Sequence, residues 1–188
     1  MNDVFSAHRH DGSARLDPEK TALVVVDMIN EFCKPGGKMV LPGYETLMPQ
    51  QLALIAAARA NGVPVIFVID SHRRNMRRDR EWLKRTPHGE ENTWATQVID
   101  DLAPQDDDII VIKHRYSAFF QTDLDLVLKD MLVSQLVVCG VVTNICVRFS
   151  HSRSRRMLRR WESMTKMTGT PLARAAAISA SCCGISVS

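Results

Sequence analysis

A thiol, an ammonium and two carboxylates stand where apolar runs of this chain stop. The run at 21–26 ends at Asp27, 63–69 at Asp70, and 109–112 at Lys113, while 136–138 leads through Gly140 and a short turn to Cys146. A helix can begin at Cys146, where backbone N–H groups favour negative charge, and the thiolate is the reactive form of cysteine. The plain alternatives are a small buried hydrophobe for Cys146 and boundary markers for the charged residues. Convergence of acid, amine and thiol on one rim favours a nucleophile. Lys113 would stabilise the thiolate, lowering its pKa by roughly one unit or more. Asp27 would take the thiol proton and pass it to a leaving group. Attack on a carbonyl then gives a thioester that water hydrolyses. Backbone N–H groups of the 142–146 turn can hold the oxyanion, each contributing roughly 3–4 kcal/mol.

The elements that must position these groups alternate in kind. The runs at 21–26 and 63–69 have the length and β-branched content of strands buried on both faces, and 109–112 and 136–139 read as further strands. Between them, residues 46–60 carry Leu47, Leu52, Leu54, Ile55 and Ala58 at helical spacing, with Asn61-Gly62 as the stop. Residues 93–102 read as a helix with Trp94, Val98, Ile99 and Leu102 inward, and residues 123–131 as another with Leu124, Val127, Leu128 and Met131 on one face. A long polar excursion, 71–92, separates the second strand from the helix at 93. Such alternation predicts βαβ units and a doubly wound parallel sheet. Ligands of these sheets sit at the carboxyl ends of the strands, near the switch in strand order.

The 188 residues suffice for one domain with a full core, and the formal charge of +3 does not demand nucleic acid. Arginine clusters at 73–80 and 148–160 read as solvated faces, with few aromatics interleaved. The five cysteines lack framework spacing, which predicts a reducing compartment. The first residues show no apolar leader and no run approaches membrane-spanning length, so a cytoplasmic protein without membrane or nucleic-acid partners is expected. The organisation reads as an arm at 1–20, a core at 21–149 and a basic, Ser/Ala-rich tail at 150–188.

Val-Val-Asp-Met-Ile-Asn-Glu-Phe-Cys at 25–33, Lys-His-Arg-Tyr-Ser-Ala-Phe-Phe-Gln-Thr-Asp-Leu-Asp at 113–125 and Val-Cys-Gly-Val-Val-Thr-Asn-Ile-Cys-Val at 138–147 carry a resemblance. In this order they resemble the isochorismatase-like cysteine hydrolases, which include nicotinamidases, N-carbamoylsarcosine amidohydrolase, and biuret and ureidoacrylate hydrolases. The resemblance spans residues 18–149. It implies a Rossmann-like parallel sheet in an α/β/α sandwich and an Asp27–Lys113–Cys146 triad. It also implies a cis peptide before Val142, with the N–H groups of Val142 and Cys146 as the oxyanion hole. Retention of Cys146 implies hydrolysis of a C–N bond in a small amide, carbamoyl or ureido compound, in a dimer or tetramer. The triad requires no cofactor. Asp70, His72 and His88 resemble the zinc or iron site of nicotinamidases, a donor set suited to either metal; the alternative is two histidines hydrogen-bonded in a polar loop. Phe32, Tyr116 and Phe119 are expected around the substrate or in the core. Arg85 stands where nicotinamidases carry Trp, and would suit a substrate carboxylate or face solvent.

The family pattern breaks after Cys146. Arginine and serine crowd 148–160, and no buried β-branched run appears before 185–187. The C-terminal strands are therefore expected to be altered or missing, either by divergence or by a reading-frame change that turns residues 165–173 away from an acidic turn. Loss of a fifth strand would leave the strand at 136–139 with an open, aggregation-prone edge and a poorly packed tail. The rival to an enzyme is a fold relative with impaired catalysis, serving as a binding or regulatory protein.

Overall fold

The computed structural model describes residues 16–150. The expected fifth strand, the segment at 185–187, the frame change at 165–173 and most of the arm and tail lie outside them. Four parallel strands, β1 (Thr21–Val26), β2 (Val65–Asp70), β3 (Ile109–Lys113) and β4 (Gln135–Gly140), form one sheet in the order β3-β2-β1-β4. β1 is central because every residue of Thr-Ala-Leu-Val-Val-Val can be buried, and all six are. Successive side chains point to opposite faces. Leu23 and Val25 join a core with α1 (Asn30–Cys33) and α2 (Met48–Ala60), whereas Ala22, Val24 and Val26 join one with α3 (Leu124–Asp130). Helices thus flank the sheet on both sides. The order of strands reverses between β1 and β4, so the crevice at their carboxyl ends is the place for a ligand.

Three helical expectations are corrected. Residues 93–102 form separate 3-10 turns, Trp94–Thr96 and Asp100–Leu102. The Asn30 N–H donates to the Gln97 carbonyl (2.9 Å), and the Ile99 N–H donates to that of Met28 (3.1 Å). An antiparallel bridge between Ile29 and Val98 pulls the intervening β-branched residues off helical geometry, and Trp94 is left 46% exposed. On α2 the buried residues are Gln51, Ile55 and Ala58, while Leu52 faces outward. Met131, expected on the inner face of α3, lies beyond its last turn and is exposed.

Close approach of β4 to β1 depends on Gly140. Its φ is +118°, and a Cβ there would meet the Val26 carbonyl oxygen at 2.0 Å. The chain then passes through a cis Val141–Val142 peptide into a π-helical turn, Thr143–Val147. Cys146 lies inside that turn, not at the helix N-terminus expected from the sequence. Ser150 is buried and closes the segment: its hydroxyl donates to the Cys146 carbonyl (2.7 Å) and accepts from the Ala118 N–H (2.9 Å).

Candidate active site

Three strand ends deliver Asp27, Lys113 and Cys146 to one point. Asp27 leaves β1 with φ +56°, a left-handed conformation uncommon outside glycine and tolerated by aspartate. Its N–H donates to the Val68 carbonyl (2.9 Å) while its carbonyl accepts from the Ile29 N–H (2.8 Å), and this tight turn buries the carboxylate completely. Lys113 is aligned with Asp70 by the register of β2 and β3. Its Nζ lies 3.0 Å from Asp27 Oδ2, 2.9 Å from Asp70 Oδ1 and 3.8 Å from Cys146 Sγ. The buried Asp27 carboxylate thus has the Lys113 ammonium against one oxygen, and the Cys146 thiol also acts on it.

Burial decides the proton arrangement. It raises the Asp27 carboxyl to about 6, against the pull of Lys113. Burial and then the Asp27 charge push the Cys146 thiol well above its ordinary value, despite Lys113. This corrects the expectation of a thiolate favoured at rest: the thiol holds its proton next to a carboxylate able to take it. Burial would lower the Lys113 ammonium, but Asp27 and Asp70 outweigh that and hold it well above the usual range. The Val142 N–H donates no hydrogen bond among the described residues, although its carbonyl accepts from Ile145 (3.0 Å) and Val147 (3.3 Å).

Beside the thiol centre lies a second cluster. Asp70, His72, Glu81 and His88 are all buried, with one donor atom each lying within 4.8 Å of the others. Nε2 of His72 is 3.3 Å and Nε2 of His88 3.5 Å from Asp70 Oδ2, and Glu81 Oε2 is 3.9 Å from His72 Nε2. The far ring nitrogens are engaged elsewhere: His72 Nδ1 with Asp79 (3.1 Å), His88 Nδ1 with the Thr86 carbonyl (2.8 Å). Burial would raise Asp70, yet the Lys113 charge and then the two histidines facing it hold it well below the usual carboxylate range. Burial and the Asp70 charge raise Glu81. His72 Nε2 and Glu81 Oε1 have no hydrogen-bond partner although buried. Two imidazoles and two carboxylates with orphaned inward atoms and engaged outer nitrogens fit a zinc or iron ion.

The isochorismatase domain matches residues 21–154. The chain belongs to the isochorismatase family. Among its relatives is the ureidoacrylate amidohydrolase RutB of Pseudomonas savastanoi pv. phaseolicola, 33% identical over an alignment of 166 positions that covers 74% of this chain and 66% of the relative. The chain thus spans slightly under two thirds of that protein. A cysteine hydrolase structure from Pseudomonas syringae pv. phaseolicola 1448A is 34% identical, with TM-score 0.71 over 75% of this chain and 68% of the other. The N-carbamoylsarcosine amidase structure from Thermoplasma acidophilum is 28% identical, with TM-score 0.67 over 84% of this chain and 96% of the other.

In this isochorismatase-family chain the residues expected around a substrate are spread out. Phe32 is buried with its ring 6.3 Å from that of His88. Phe119 is buried in the α3-side core. Tyr116 stacks on Phe149 (6.1 Å between rings, 24°) and lines a cleft of about 360 Å³ with Arg80, Glu81, Lys84 and Arg115. Arg85 is exposed and does not line that cleft.

Glu81, Asp79 and Glu31 escaped the sequence reading. Glu81 and Asp79 sit in the polar excursion among six arginines, where a solvated loop is the ordinary reading. Glu31 is buried and accepts from the N–H groups of Lys38 (2.6 Å) and Gly89 (2.9 Å), tying α1 to the loop that carries His88. A glutamate between Ile29 and Phe32 was the available signal, but a one-turn helix has no periodicity to mark it as inward.

Proposed function

We propose that this chain is a cysteine-dependent amidohydrolase cleaving a C–N bond in a small amide, carbamoyl or ureido compound. The observation carrying this reading is the buried convergence of Lys113 Nζ with Asp27 Oδ2 (3.0 Å) and Cys146 Sγ (3.8 Å). Asp27 takes the thiol proton as sulfur attacks the substrate carbonyl, and Lys113 stabilises the forming thiolate. The N–H groups of Val142 and Cys146 hold the developing oxyanion. As the C–N bond breaks, Asp27 returns the proton to the leaving nitrogen. Asp27 then takes a proton from the water that attacks the thioester and passes it to the departing sulfur, which restores the thiol.

That the Val142 N–H donates no hydrogen bond among the described residues supports the oxyanion role. Phe32 and Tyr116 flank the substrate, and Arg80, Lys84 and Arg115 give the Tyr116 cleft a cationic lining that suits a carboxylate better than the exposed Arg85. The relatives named for ureidoacrylate and N-carbamoylsarcosine favour a carbamoyl or ureido substrate. Asp70, His72, Glu81 and His88 would hold zinc or iron, which when bound supplies Lewis-acid polarisation of a substrate heteroatom. The triad itself needs no cofactor. Cys33 and Cys146 as free thiols fit a cytoplasmic location, and exposed Ile110 and Ile112 on one face of β3 offer a homo-oligomer apolar surface to bury. No helix among the described residues is long and apolar enough to cross a membrane.

The test is ammonia release from nicotinamide, biuret, N-carbamoyl amino acids and ureido acids, run beside Cys146→Ala. Turnover of a carbamoyl or ureido acid that vanishes in the variant is expected. Turnover of none, or turnover surviving in Cys146→Ala, overturns the reading.

A further inference from the structure

The polar excursion contains a short relay that neither the triad nor the donor cluster uses. Asp79 is buried at its centre, and both of its oxygens are committed. Oδ1 accepts the N–H of Glu81 at 2.8 Å, which fixes the backbone carrying that carboxylate. Oδ2 lies 3.1 Å from His72 Nδ1 and 3.1 Å from Arg115 Nη1. Arg115 stands two residues beyond Lys113, so the guanidinium is anchored to the end of β3 and also contacts the carbonyl of His114. The His72 ring is fully buried, with the Trp82 ring 5.7 Å away and the His88 ring edge-on at 4.9 Å.

From this geometry we infer that Asp79 and Arg115 are positioning residues that fix the His72 ring, placing a hydrogen on Nδ1 and aiming Nε2 at Asp70, Glu81 and His88. A carboxylate only accepts hydrogen bonds, so the nitrogen facing it carries the hydrogen. The opposite nitrogen, Nε2, points at Asp70 Oδ2 from 3.3 Å without a hydrogen bond of its own, so the bond to Asp79 is the one that orients the ring. Arg115 occupies the same carboxylate oxygen and restrains its rotation with a charge-assisted bond. Asp79 thereby sets two of the four donors at once, His72 through its side chain and Glu81 through its backbone. The inference rests on the metal reading of the cluster only for its affinity readout.

The test uses the full chain, labelled with 15N and free of metal. Long-range 1H–15N spectra are expected to show His72 protonated on Nδ1. Asp79→Asn keeps one oxygen for the Glu81 N–H but turns an NH2 towards Nδ1. Nδ1 should lose its hydrogen, and Zn2+ affinity, measured against a chromophoric chelator, should fall 10- to 100-fold. Arg115 is one third exposed and its removal leaves the Asp79 cap, so Arg115→Met probes the relay if Asp79→Asn does not fold. It should give a mixture of His72 tautomers and a several-fold loss of Zn2+ affinity, both restored by Arg115→Lys. A folded Asp79→Asn with His72 still protonated on Nδ1, or Arg115→Met with unaltered tautomer and affinity, overturns the inference. Should the parent chain bind no Zn2+ while the tautomer switches, this inference stands and the metal reading falls.

Discussion

Asp70 faces Lys113 with one oxygen and two histidines with the other. Oδ1 accepts from Lys113 Nζ at 2.9 Å, while Oδ2 lies 3.3 Å from His72 Nε2 and 3.5 Å from His88 Nε2. One buried carboxylate therefore joins the thiol centre to the four-donor cluster, and a change at either is felt at the other. Asp70→Asn should lower stability by about 3–5 kcal/mol, the usual cost of removing one partner from a buried ion pair. Chemical denaturation checks this, and a loss under about 1 kcal/mol would show that Asp27 alone satisfies Lys113.

The pH dependence follows from Asp27. Its carboxyl is raised from 3.8 to about 6 by burial. Below that value it is protonated and cannot accept the thiol proton, so kcat/KM should fall as pH drops through about 6 and be level above it on this limb. A pH–rate profile with no acid limb between 5 and 7, the window set by that carboxyl, would remove Asp27 as the base.

Reactivity of the thiol should separate from turnover. The Asp27 charge is the largest influence after burial that raises the Cys146 thiol. Asp27→Asn removes that charge while Lys113 remains, so iodoacetamide should label Cys146 faster at pH 8, a chosen assay pH, even as hydrolysis drops by about 100-fold or more. Cys33, pushed up to about 12 by burial and Asp27, should stay slow in the parent chain. Peptide mass mapping distinguishes the two sites.

Gly140 carries a structural prediction. With φ +118° and the Val26 carbonyl 2.0 Å from any Cβ, Gly140→Ala must part β4 from β1. Strain of about 1–3 kcal/mol or more is expected, visible as a lowered melting temperature together with lost turnover. A variant as stable as the parent would mean that the β1–β4 spacing does not position Cys146.

Legibility in the sequence tracked the range of the forces involved. β1 shows itself because a run buried on both faces is apolar throughout, and Asp27, Asp70 and Lys113 could be read as strand-end groups because a charge stops each run. The segment at 93–102 misled because Trp94, Val98, Ile99 and Leu102 have helical spacing, while the force deciding their backbone is the long-range pairing of Gln97 and Ile99 with residues 28–30. Asp79, Glu81 and Arg115 were hidden for a related reason. Their partners lie across a folded loop, and nothing local distinguishes a buried carboxylate among arginines from a solvated one. The protonation of Cys146 was also beyond the sequence, since it depends on how completely Asp27 and the thiol are buried together.

Partitioning with hydroxylamine tests the central chemistry most directly. A thioester on Cys146 can be captured by this added nucleophile before water reaches it, so a carbamoyl or ureido substrate should yield hydroxyurea or the matching hydroxamate in proportion to hydroxylamine concentration. Cys146→Ala should yield none. Substrate consumed with no captured product at any hydroxylamine concentration, or captured product undiminished in Cys146→Ala, would contradict a nucleophilic cysteine in this chain.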